Sequence, residues 1–281
     1  MSILLRSISA VLLSFTIGSV FAQVGFVENK GQFDNQISYQ ADYHTQTVYL
    51  DQEGFSVLLH DVEKWESWMH DLHEHKQLKL KRNPKERKLN YQHIKFEFVG
   101  ANLSNFKGTE TNKEHYNFFL GKDRTKWASN VLKHTTVLYK NIYPNIDLEY
   151  QAIDQRFKYN FILNDGANID DIKINIVGAN DVDVAKDRLT INSRFGSFSE
   201  VMPISYSING GVSTTIELEY IQKDGFVGFK PKNKLVGETT VIDPELIFST
   251  YSGSSVDNFG FTATFDSSGN LYAGGIATSP S

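Results

Sequence analysis

Gln92–His93–Ile94–Lys95–Phe96–Glu97–Phe98–Val99–Gly100 decides the fold class. Ile94, Phe96 and Phe98 alternate with Lys95 and Glu97, and Gly100 closes the run. A period of two is the signature of a strand with one buried and one wetted face. The same alternation stands upstream, where Ile37, Tyr39, Ala41 and Tyr43 are separated by polar residues. Thr47–Leu50, a bend at Asp51–Gln52–Glu53–Gly54, and Phe55–Leu59 predict a hairpin.

Downstream the pattern predicts strands at 135–139, 146–152, 156–163, 172–177, 188–192, 204–208, 214–221, 225–229 and 240–242. Asp165–Gly166, Gly178–Ala179, Gly210–Gly211 and Asp224–Gly225 punctuate them. Short strands at this spacing imply an antiparallel β-sandwich, and no helical pattern follows Leu80 to support parallel βαβ units. The expected core includes Phe96, Phe98, Ile146, Leu148, Tyr159, Phe161, Ile174, Leu218 and Tyr220.

One stretch breaks the alternation. Val62, Trp65, Met69 and Leu72 recur at intervals of three and four, which predicts one helical insertion at about 62–80. Its acidic front and the basic run Lys76–Lys88 complement a helix dipole. The domain expected at 23–247 is compatible with a division into two lobes at the basic stretch near 81–90. From 248 to 281, two short strands flank Asp266–Ser267–Ser268–Gly269–Asn270, as in part of a propeller blade. A lone blade cannot bury its own faces, so a first, incomplete repeat of a longer polypeptide is expected.

Composition limits the functional classes. The chain has 281 residues, 40% hydrophobic and 22% charged, enough for a substantial core. Twenty Phe and 13 Tyr favour strands. A net charge of −5 argues against a nucleic-acid partner, which calls for a basic face. The absence of cysteine excludes disulfides, thiol catalysis and thiolate zinc sites.

Met1–Ala22 has the pattern of a secretory signal peptide. Arg6 precedes an apolar stretch, and Val20 and Ala22 occupy the −3 and −1 positions of a cleavage site. The mature chain is expected to begin near Gln23, exported, with no later transmembrane segment.

Chemistry-bearing clusters are sparse. His70, His73 and His75 are the most metal-like group, yet the His-Glu-x-x-His spacing is missing, and a solvated helix face is expected. Asp181, Asp183 and Asp187, or Asp257 with Asp266, offer oxygen ligands for calcium, but turn chemistry accounts for them. No cofactor is expected. Asp123, Ser129 and His134 lie close in sequence without anything that positions a triad. Asp147 and Glu149 are the alternative catalytic pair, two carboxylates on one face of a strand, as a glycoside hydrolase uses. Asp170 with Asp171 is a second carboxylate pair of that kind. Aspartate in a Pro-Asn-Ile-Asp turn more commonly caps backbone N–H groups. Trp68 and Trp127 are the candidates for stacking on sugar rings, whereas Trp65 lies on the apolar stripe.

Five motifs occur together in a characteristic order. They are Phe26–Val–Glu–Asn–Lys–Gly–Gln32, Tyr116–Asn–Phe–Phe–Leu–Gly121, Lys126–Trp–Ala–Ser–Asn–Val131, Tyr139–Lys–Asn–Ile–Tyr–Pro–Asn–Ile–Asp–Leu148 and Val241–Ile–Asp–Pro244. With them the chain resembles the N-terminal domain of exported Bacteroidota proteins that continue into seven-bladed-propeller-type repeats. The resemblance implies large secreted or cell-surface molecules, often with immunoglobulin-like modules and a type IX secretion signal linked to gliding. It implies no catalytic residues. Further repeats and such a signal do not occur within these residues, which leaves the export route and oligomeric state open. Two functions are therefore expected to compete. One is a non-catalytic module for adhesion or recognition of an extracellular glycan or surface protein. The other is a polysaccharide hydrolase, or its accessory domain, acting through Asp147 and Glu149.

Overall fold

The computed structural model describes residues 24–43, 46–62, 64, 89–119, 121–153, 156–233, 235, 239–247, 258–265 and 271–277. They are all-β. Apart from Val62 and Lys64, the helical insertion expected at 62–80 lies outside the described residues, as does the basic stretch 81–88.

The first five strands are β1 (Phe26–Glu28), β2 (Ile37–Tyr43), β3 (Gln46–Asp51), β4 (Gly54–His60) and β5 (Tyr91–Phe98). Next come β6 (Phe106–Phe118), β7 (Ala128–Tyr143), β8 (Ile146–Ile153), β9 (Arg156–Asn164) and β10 (Ile174–Val177). Then follow β11 (Asp181–Val184), β12 (Arg188–Ser193), β13 (Gly196–Asn209), β14 (Val212–Ile216), β15 (Leu218–Lys223), β16 (Phe226–Pro231) and β17 (Thr239–Ile247). All pairings are antiparallel and link these strands into one large, nearly closed sheet.

β2, β3, β4 and β5 pair in succession, and β10 and β16 continue beyond β5. In the other direction β1 joins β2 to β7, from which β8, β9, β17 and β13 follow. Two long strands let the sheet turn. β7 carries β6 on one flank, with β1 and β8 sharing the other, while β13 carries β17 on one flank and β12 then β14 on the other. β13 is irregular between Val201 and Ile204, where its register to β17 shifts. The expected sandwich of separate sheets is thus realised as a single sheet wrapped round one core.

Alternation places that core. Ile94, Phe96 and Phe98 are buried, and Phe96 stacks on its cross-strand partner Phe55 with ring centroids 4.4 Å apart. Lys95, on the opposite face, pairs with Glu53, Asp51 and Glu97. Phe55 meets Phe157 and Tyr159 of β9 at 4.9 and 5.1 Å, and Phe98 meets Phe161 at 5.3 Å. Aromatic rings from facing strands thereby interlock edge-to-face or tilted, arrangements the ring quadrupole favours. All nine residues expected in the core are buried.

The expected strand 214–221 is divided at Glu217. β14 pairs with β13 and β15 with β16, so a continuous strand would have to satisfy two partners in different directions. β18 (Asn258–Phe265) and β19 (Leu271–Ala277) pair antiparallel, and the turn expected between them at 266–270 lies outside the described residues.

Candidate functional site

β6 and β7 form a long hairpin whose last pair is Phe118 with Ala128. The connecting stretch is organised by Asp123. Its carboxylate accepts from Thr125 N–H at 3.0 Å and Thr125 Oγ1 at 2.6 Å, capping a short 3₁₀ turn at Arg124–Lys126. These bonds hold the exposed Asp123 carboxyl below its usual range. The turn delivers Trp127 to the surface, where 37% of it is exposed. Phe119, 60% exposed, meets the indole edge-to-face at 5.5 Å and 77°. The Arg124 guanidinium carbon lies 5.3 Å from the Trp127 ring centroid, a cation–π distance. The indole Nε1–H points to the Gly121 carbonyl at 3.4 Å.

The loop after β1 packs beside this tip. Asn29 Oδ1 accepts from the N–H groups of Gly31 and Phe33, and its Nδ2 donates to the carbonyls of Asp34 and Ile37. Gln32 closes the loop, accepting from Lys30 N–H and donating to the Glu28 carbonyl. Phe33 meets Phe118 edge-on at 5.8 Å, and Lys30 Nζ donates to the Asn130 carbonyl at 3.0 Å. Three of the quoted motifs, those beginning at Phe26, Tyr116 and Lys126, therefore converge on one surface.

Other candidates lie elsewhere. Trp68, Trp65, the three histidines His70, His73 and His75, and Asp257 and Asp266 fall outside the described residues. Asp147 and Glu149 share the outward face of β8. Asp147, its side chain 5% exposed, accepts from Lys140 Nζ at 2.6 Å and from Asn141 N–H at 2.8 Å. Asn141 has φ of 51°, so this carboxylate fixes an unusual backbone turn. Glu149 accepts from Gln151 Nε2 at 2.6 Å and Asn160 Nδ2 at 3.2 Å. Asp170 and Asp171 belong to a 3₁₀ turn capped by Asn168.

Asp181 and Asp183, expected in a turn, are exposed residues of β11, where Val182 and Val184 face inward. Asp181 accepts from Asn192 across the strand pair. His134 is buried between Tyr39 and the backbone at Gly108, and desolvation lowers its pKa. Among the described residues no group of three or more acidic or histidine side chains is placed to hold a metal, and no helix is long and apolar enough to cross a membrane.

A buried ionisable group escapes the sequence altogether. Glu200 has no exposed surface and shares the inward face of β13 with Phe198. Tyr159 of β9 donates to its Oε2 at 2.7 Å, and Tyr220 of β15 donates to its Oε1. Burial pushes the carboxyl up to about 7 despite both donors, and raises both phenols. A lone glutamate in a strand carries no local sign of such depth.

No curated protein and no solved structure matches the chain. A family model does, from the first core strand to the last strand of the wrapped sheet. Over residues 26–245 the chain matches the family described as Domain of unknown function (DUF7948), and it belongs to that family.

Proposed function

We propose that the domain is a non-catalytic recognition module of an exported cell-surface protein, and that the 119–127 tip is its contact surface for an extracellular glycan or surface protein. The observation that carries this is the exposed pair Phe119 and Trp127 on a rigid, capped turn. Large apolar rings left in water on a fixed frame are costly unless a partner covers them. The wrapped-sheet frame would lead a longer polypeptide in which the paired strands β18 and β19 begin a propeller-type repeat. The signal-like N-terminus and the resemblance to Bacteroidota surface proteins support export. The hydrolase reading has less behind it, because Lys140 and the Asn141 N–H already engage the Asp147 carboxylate.

The test is retention of the purified chain on immobilised cell-wall and algal polysaccharides, wild type against Trp127→Ala. Loss of retention with an unchanged circular dichroism spectrum is the expected result. Retention of the variant equal to wild type would remove the 119–127 tip from the proposal.

A further inference from the structure

The 119–127 tip differs in charge from the molecule that carries it. The whole chain has a net charge of −5. Between Phe119 and Trp127 stand Lys122, Arg124 and Lys126 against Asp123 alone. The Asp123 carboxylate faces inward to its own turn, engaged by Thr125 through both N–H and hydroxyl. Lys30 stands beside the tip, its ammonium 3.0 Å from the Asn130 carbonyl, and Gly31 lies so close that a Cβ there would be 3.7 Å from the Thr125 carbonyl.

We infer that the ligand of this tip is an anionic polysaccharide, its sugar rings stacked on Phe119 and Trp127 and its acidic groups met by Arg124, Lys122 and Lys126. This deepens the recognition role proposed above and rests on it. Two chemistries must coincide in one ligand. An apolar C–H face covers the exposed rings, while carboxylate or sulfate oxygens meet cations. A guanidinium held over an indole is already partly desolvated and oriented, so it pairs with a planar carboxylate at reduced entropic cost. A neutral glycan would leave the three cations unanswered. Single-stranded nucleic acid also combines rings with charge, and oligo-dT therefore stands in the test as the competing ligand.

Affinity electrophoresis of the full chain decides between these. The gels contain polygalacturonate, its fully methyl-esterified form, a sulfated galactan, the desulfated galactan, or oligo-dT. Retardation is expected in at least one acidic gel and little in its neutral counterpart. Raising the salt to ~0.5 M should weaken retardation roughly tenfold. Arg124→Gln with Lys126→Gln should weaken it by a similar factor, and Trp127→Ala should abolish it. Lys122→Gln supplies an independent charge variant. Response to polygalacturonate alone assigns carboxylates, and response to the sulfated galactan alone assigns sulfate esters; either supports the inference. Equal retardation by acidic and neutral forms, unmoved by the charge variants, overturns the anionic assignment and leaves glycan recognition standing. Retardation by no polysaccharide brings down both. Preference for oligo-dT overturns the polysaccharide assignment outright.

Discussion

The Tyr159 hydroxyl lies 2.7 Å from Glu200 Oε2, joining β9 to β13 inside the wrapped sheet at a carboxylate with no access to water. The proton on Glu200 should therefore be visible in the stability of the whole domain. Its folded pKa is about 7, against an ordinary value of 4.5. Below pH 4.5 folded and unfolded chains both hold the proton. Between 4.5 and about 7 the unfolded chain releases it and the folded chain keeps it, so stability falls as pH rises, by up to about 3 kcal/mol. Above about 7 both are ionised and the penalty stays constant. Urea unfolding of wild type and Glu200→Gln from pH 4 to 8 isolates this group. The difference between the two profiles should slope across that window, and parallel profiles would contradict the assignment.

Phe161 is completely buried, with Phe98, Tyr159 and Phe229 at centroid distances of 5.3, 5.8 and 6.0 Å. Rings from three other positions cannot all relax into the space a deletion would leave. Phe161→Ala should cost about 3–5 kcal/mol. The denaturation midpoint should drop with little change in slope; an unmoved midpoint would refute the placement.

Asp147 should act as a structural clamp. Asp147→Ala removes the buried, charged acceptor that the Asn141 N–H donates to, at a cost of roughly 1–3 kcal/mol. Lys140→Ala should cost under about 1 kcal/mol, since that side chain is half exposed and its charge is screened. Thermal unfolding compares the two. Equal stability of Asp147→Ala and wild type would deny the clamp and return Asp147 to the list of chemical groups.

Gly178 has φ of +88°, and a Cβ there would lie 2.2 Å from the His93 carbonyl oxygen. Gly211 has φ of +82° with open space around it. Gly211→Ala should therefore show backbone strain alone, about 1 kcal/mol. Gly178→Ala adds a collision with backbone and should cost clearly more, above roughly 2 kcal/mol. Chemical denaturation of the two variants side by side gives the comparison, and equal costs would show that β5 yields.

Strands with one wet face were legible because their alternation is local. Ile94, Phe96 and Phe98 show it, as do Ile146 and Leu148, and all lie in the core. β6 was invisible: Phe106–Lys–Gly–Thr–Glu–Thr–Asn–Lys–Glu–His115 has little apolar content, and its pairing is to β7. Such a strand is held by its partner's ladder, which no window of sequence contains. β11 is hidden in the sequence because aspartates signal turns more strongly than two valines signal a strand. Trp127 could be singled out as a polar-flanked tryptophan. Its neighbour Phe119 and the adjoining Asn29–Gln32 loop could not, because the loop meets the tip across some hundred residues. Glu200 was hidden for the same reason, its two tyrosines coming from distant strands.

β1 and β17 open and close the wrapped sheet, and each is flanked on both sides, β1 by β2 and β7, β17 by β9 and β13. A pull along either strand must then slide two ladders at once rather than peel one open. Load shared between parallel rows of hydrogen bonds resists far better than load taken one bond at a time. A domain built this way keeps its shape under shear between its two ends, and single-molecule pulling should find it yielding late and in one step.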